Sequence, residues 1–262
     1  MKEIKKVFKE VDSALIPYIC AGDPDLKTTR ELIFTLERAG ADIIELGIPF
    51  SDPLADGPVI QEAGQRALEA GADLEKIIEL TDDVSSELET PLVLMGYYNS
   101  IINYGRERFV RDLERAGAAG VIVPDLPYDE DPDFYENLRD CGVSGILLAA
   151  PNTNSSRLNY LGEKSAGFLY CVSLLGVTGD KKGPFEKLEQ YIEKVRGEVE
   201  LPLALGFGID GPEKAAAVSE YVEGVIMGSA IIEVINGYSE DKDKMHRKVE
   251  AFVTSIKRAI QG

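Results

Sequence analysis

With 262 residues, 44% of them hydrophobic, 25 glycines and 13 prolines, the chain is long enough for one large globular domain rich in turns. Its formal charge of -18, from 46 acidic against 28 basic side chains, argues against a DNA or RNA partner, whose phosphate backbone calls for basic surface. The three scattered cysteines, Cys20, Cys141 and Cys171, suit neither a disulfide framework nor a metal site. No apolar run reaches the roughly 18 residues of a membrane helix, and the start lacks a signal peptide's apolar core, so a cytoplasmic location is expected.

In chain order, a short charged helix over 2–10 is followed by a strand from Ala14 to Gly22. Asp23-Pro24 then opens a helix to about Arg38, with Leu32, Ile33, Leu36 and Ala39 on one face. The unit repeats, with strands expected at 42–48, 91–97, 120–126, 145–150, 167–173, 202–207 and 224–228, separated by helical segments. Runs such as Pro91-Leu-Val-Leu-Met-Gly96 are apolar on both faces, as parallel strands covered on both sides must be. Gly40, Gly117 and Gly142 fall where three of the helices should end. Eight βα units in one domain over 1–262 point to a (β/α)8 TIM barrel with a short extra N-terminal helix. A doubly wound sheet is the alternative, and the Gly-x-Gly-x-x-Gly turn it favours is missing after the first strand.

A barrel places its site at the C-terminal ends of its strands. There the second strand carries Glu45, on the same face as Ile43 and Gly47 and opposite Ile44 and Leu46. An acid in a buried strand is costly to keep, and desolvation would raise its pKa towards the range useful for giving and taking a proton. Asp56, eleven residues on, could fold back over the same opening, or simply cap the helix starting near Pro58. Gly176-Val-Thr-Gly179, Gly206-Phe-Gly208 and Gly228-Ser229 end the last three strands, where close backbone approach and a helix N-terminus can cradle a phosphate; ordinary tight turns are the alternative. No lysine stands at a strand end, which disfavours a Schiff-base aldolase, and the single histidine, His246, sits in a basic helical stretch that reads as solvated surface. No cluster of metal ligands is evident, so no metal is expected.

Glu45-Leu-Gly-Ile-Pro-Phe-Ser-Asp-Pro-Leu-Ala-Asp-Gly-Pro-Val-Ile-Gln61 resembles the signature of the tryptophan synthase α subunit family. Pro17-Tyr-Ile-Cys-Ala-Gly-Asp-Pro24, Met95-Gly-Tyr-Tyr-Asn99, Val123-Pro-Asp-Leu-Pro127 and the glycine turns are similar to that family in the same order, from about residue 14 to 232. The resemblance implies cleavage of indole-3-glycerol phosphate to indole and glyceraldehyde 3-phosphate, with no cofactor of its own. It makes Glu45 the proton-transfer group, Asp56 the second acid at the indole N–H, and Thr178 a loop-closing residue that positions Asp56. Tyr18, Met95, Tyr97, Ile122 and Tyr170 are implied around the substrate, and Gly179, Gly208, Gly228 and Ser229 at the phosphate. Tyr18, Met95 and Pro124 depart from the residues common in the family. A β subunit that binds pyridoxal phosphate is the implied partner in an α2β2 complex, with Pro49, Asp52 and Pro53 on the contacting loop. A non-catalytic, phosphate-ligand-binding regulatory barrel is the alternative function.

Overall fold

The computed structural model describes residues 3–172, 184–206 and 208–262. Every strand is parallel to its neighbours: β1 (Ala14–Cys20), β2 (Ile44–Gly47), β3 (Leu92–Met95), β4 (Gly120–Ile122), β5 (Ser144–Ile146), β6 (Leu148–Ala149), β7 (Leu169–Val172), β8 (Leu203–Gly206) and β9 (Gly224–Met227). Their order around the sheet is β5-β4-β3-β2-β1-β9-β8-β7-β6. The two ends of that order, β5 and β6, are consecutive pieces of one chain stretch parted only at Leu147, so the sheet closes on itself. The architecture is therefore the expected (β/α)8 barrel, with its fifth strand interrupted. The interruption has a local cause: the Leu147 N–H donates to the hydroxyl of Ser165 at 3.0 Å, while its carbonyl still accepts from Tyr170.

The strand periodicity sorts residues onto two faces, each with its own apolar cluster. Ile16, Ile43, Val93, Ile122, Ile146, Phe168, Ala204 and Ile226 fill the barrel. Leu15, Ile44, Leu46, Leu94, Val121, Leu205 and Val225 face outward against the helices. Both faces are buried, which is why the strands read as unbroken apolar runs. The N-terminal helix, Ile4–Glu10, belongs to the inner cluster: Ile4 and Val7 are buried in it and the Phe8 ring lies 5.7 Å from that of Phe168. It plugs the barrel floor, so the opening that remains is the one at the strands' C-terminal ends.

Helix ends follow the sequence signals with two revisions. Gly40, Gly117 and Gly142 adopt φ of 96°, 73° and 74°, the left-handed conformation that stops a helix and is nearly free only for glycine. The helix expected from Asp23 begins at Leu26, capped by Asp25, whose carboxylate accepts from the Thr28 N–H at 2.7 Å. Asp23 instead meets Arg66 in a two-pronged ion pair, with both N–H to O distances at 2.8 Å. His246 is half-buried rather than solvated, its Nδ1 2.9 Å from the Thr35 hydroxyl and its Nε2 3.4 Å from Glu31. Among the described residues no helix is long and apolar enough to cross a membrane.

Candidate active site

Glu45 is 1% exposed and stands on the inner face of β2, in register with Tyr18 on β1 and Val93 on β3. Its Oε2 has no hydrogen-bond partner among the described residues. Burial first, and the nearby charge of Asp56 second, push its carboxyl up from the ordinary 4.5 to about 8. A carboxyl of this kind is protonated at neutral pH yet can still release its proton, which is the property a proton-transfer group needs.

Asp56 reaches the same cavity from the loop after β2. It does not cap the helix Pro58–Glu69: the N-cap is Gly57, which offers no side chain, with Pro58 in the first turn. The Asp56 carboxylate is held instead by Tyr97, whose hydroxyl donates to Oδ2 at 3.0 Å and accepts the Ala55 N–H at 3.0 Å. The Tyr97 ring stacks on Phe50 at 5.2 Å, and the Gln61 amide donates to the Asp56 carbonyl at 2.8 Å. The loop is thus pinned from the end of β3 and from the helix that follows it. Burial raises the Asp56 carboxyl above its usual value, and the Tyr97 hydrogen bond opposes that rise.

Two phenols complete the interior wall. Tyr18 and Tyr170 are 7% and 5% exposed, and burial, with the carboxylates close by, keeps both well above the ordinary tyrosine pKa. Each lies over a glycine of the neighbouring strand. A Cβ on Gly47 would stand 2.0 Å from the Tyr18 hydroxyl, and one on Gly206 would stand 2.2 Å from that of Tyr170. Gly206 is therefore needed for packing a site residue as much as for any turn.

Glu45, Asp56, Tyr18, Met95, Tyr170, Gly208, Gly228 and Ser229 all border a single cavity of about 270 Å³. The structure brings these expected residues together from six of the barrel's strand ends and loops. The helix Ser229–Gly237 begins at this cavity with Gly228 as N-cap and no side chain capping it, so its first N–H groups are left for another acceptor. Tyr97 and Ile122 do not border the cavity. Tyr97 acts on it through Asp56, and Ile122 is fully buried between Met95 and Ile146 in the inner core. Thr178 and Gly179 lie outside the described residues. On the loop, Pro49 is buried, Asp52 exposed and Pro53 half-buried, while the neighbouring Leu54 is 95% exposed. Among the described residues no three His, Cys, Asp or Glu side chains are grouped to hold a metal ion.

Sequence reasoning missed Ile60, Ile209 and Ile226 in the wall, and the charged trio Asp210, Lys214 and Glu233 at its border. The isoleucines carry no local signal that distinguishes them from core. Lys214 escaped because it stands eight residues beyond the end of β8, in the first turn of the helix Pro212–Ser219, where a strand-end search does not look.

The fold and the cavity at its strand ends define an enzyme of the (β/α)8-barrel class. Residues 4–261 match the family model described as tryptophan synthase alpha chain. The chain belongs to the tryptophan synthase alpha chain family. It is 51% identical over 257 residues to the tryptophan synthase alpha chain of Petrotoga mobilis, covering 98% of this chain and 99% of that one. It is 42% identical over 265 residues to that of a Thermoanaerobacter species, covering 99% and 100%. Among solved structures, the Legionella pneumophila tryptophan synthase subunit alpha superposes with a TM-score of 0.92 at 37% identity, covering 99% of this chain and 98% of that one. An aminoacrylate-bound tryptophan synthase from M. tuberculosis matches with a TM-score of 0.87 at 28% identity, covering 99% and 100%.

Proposed function

We propose that this chain is the α subunit of a tryptophan synthase and cleaves indole-3-glycerol phosphate to indole and glyceraldehyde 3-phosphate, with Glu45 and Asp56 as its working carboxylates. The observation that carries the assignment is the buried Glu45 carboxyl, one oxygen unpartnered among the described residues, in the same cavity as a second acid held by Tyr97. Indole C3 must gain a proton before its bond to the glycerol chain can break, and the adjacent hydroxyl must lose one. Glu45, held near 8, starts protonated at neutral pH and gives its proton to C3. The carboxylate left behind takes the hydroxyl proton as the C–C electron pair moves into the ring and the aldehyde forms. The glutamic acid is regenerated, so the proton inventory closes within one side chain. Asp56 accepts the indole N–H and stabilises the positive charge that develops on the protonated ring.

The phosphate is held by the turns at Gly208 and Gly228-Ser229 and the N-terminus of the helix Ser229–Gly237, while the roles expected of Thr178 and Gly179 fall on residues outside those described. Tyr18, Met95 and Tyr170 supply the wall against the indole. The indole product passes to a pyridoxal-phosphate-binding β subunit in an α2β2 complex in the cytoplasm. The loop from Asp52 to Leu54 suits that contact, since the Leu54 side chain, left 95% exposed beside Pro53, is a surface that gains by being covered, whereas Pro49 is buried within the chain.

Indole release from indole-3-glycerol phosphate, with and without added β subunit, tests the assignment on wild type and Glu45→Gln. Glutamine keeps the size and cannot cycle a proton, so turnover is expected to fall by at least roughly 10²-fold. Full activity of that variant would remove Glu45 from the chemistry.

A further inference from the structure

The cavity is bordered by four acidic side chains, the protonated Glu45 and the carboxylates Asp56, Asp210 and Glu233, and by a single described cation, Lys214. That balance is unfavourable for a phosphate ester, which carries close to two negative charges at neutral pH, on a chain whose own charge is -18. Backbone N–H groups at the turns provide geometry and partial charge, and they leave the repulsion from Asp210 and Glu233 uncompensated. The Lys214 ammonium lies at the turn in question: it donates to Asp210 Oδ2 at 2.6 Å and approaches the Gly208 carbonyl at 3.4 Å.

We infer that Lys214 is a substrate-binding residue, which leaves Asp210 for the phosphate group when substrate enters and so supplies the cationic contact that the glycine turns lack. This rests on the reading that phosphate occupies the Gly208 and Gly228-Ser229 turns. The Lys214–Asp210 pair is four residues apart on one short segment, with the two side chains 41% and 67% exposed, so it is a weak, solvent-screened pair that is readily exchanged. A phosphate offers nearly twice the charge of the carboxylate and several acceptor oxygens, and the lysine's three donors and flexible stem can follow it. Asp210 then has a defined part: it parks the ammonium beside the turn in the empty enzyme and competes with the substrate for it. Glu45 and Asp56 do the chemistry without Lys214, so its effect falls on binding.

Two opposite effects test the inference in the full-length chain. Lys214→Met is expected to raise KM for indole-3-glycerol phosphate, and Kd for glycerol 3-phosphate as a probe, by roughly five- to tenfold, with kcat within about twofold of wild type. Its phosphate binding should also depend less steeply on salt. Lys214→Arg, which keeps the charge, should restore most of the affinity. Asp210→Asn frees the ammonium and should lower the same KM and Kd by about two- to threefold. Unchanged Kd and salt dependence in Lys214→Met would overturn the inference, and so would an Asp210→Asn variant that weakens binding as Lys214→Met does, because the pair would then be a structural clamp of the turn. Wild-type enzyme that turns substrate over but shows no affinity for glycerol 3-phosphate would overturn the phosphate reading itself, and this inference with it.

Discussion

Glu45→Gln should make the protein more stable at alkaline pH while it loses activity. Burial holds the Glu45 carboxyl near 8, against an ordinary value of 4.5. Between those two values the native state keeps a proton that the unfolded chain has already released. The unfolding free energy therefore falls as pH rises through that window, beginning near 4.5 and levelling off above about 8. At about 1.4 kcal/mol for each pH unit, the gap corresponds to a loss on the order of 5 kcal/mol for a side chain that is 1% exposed. Glutamine has the same shape and no charge to desolvate. Urea unfolding of wild type and variant at acidic, neutral and alkaline pH should give nearly equal stabilities at pH 5. A variant advantage should grow to several kcal/mol by pH 9. Two stability curves that run parallel across this range would show that Glu45 is not desolvated in the native protein, and the argument for its role as a poised acid would fall with it.

Three further outcomes follow from the same geometry. Tyr97→Phe removes the hydroxyl that donates to Asp56 and accepts from Ala55; kcat/KM should drop roughly 10-fold, with its pH profile shifted upward as Asp56 loses the hydrogen bond that favours its ionised form, and a wild-type profile would deny Tyr97 that role. Gly47→Ala puts a methyl 2.0 Å from the Tyr18 hydroxyl and should cost about 1–3 kcal/mol in chemical unfolding, whereas Gly57→Ala, with nothing within 4 Å and φ of -76°, should be close to silent. Arg66→Met strands the Asp23 carboxylate, which is only 4% exposed, and should destabilise the fold by about 3–5 kcal/mol; Asp23→Asn, which leaves the half-exposed Arg66 to solvent, should cost less, and the reverse ranking would refute the account of that pair.

Much of the architecture was legible because it depends on local rules. The eight apolar runs, the glycines that stop helices at Gly40, Gly117 and Gly142, and the period-two placement of Glu45 with Ile43 inside and Ile44 outside all follow from the chain's own spacing. The anomaly of an acid in a buried strand pointed to the site before any tertiary contact was known. Asp56 was harder, since an acid two residues before Pro58 fits a helix cap as well as a catalytic loop. Only the three-dimensional position of Tyr97 showed that Gly57 takes the cap and the carboxylate turns to the cavity.

Residue periodicity and the cost of burying charge already set the repeating βα unit, the barrel it points to and the strand that bears the acid proposed for proton transfer. The tertiary structure alone decided which side chains share the cavity. Tyr97 acts on Asp56 from 41 residues away, Gly206 makes room for the Tyr170 phenol, and Lys214 reaches back from a helix to the Gly208 turn. Such meetings depend on how the closed sheet brings distant strand ends around one opening, and no short-range pattern in the chain encodes that distance.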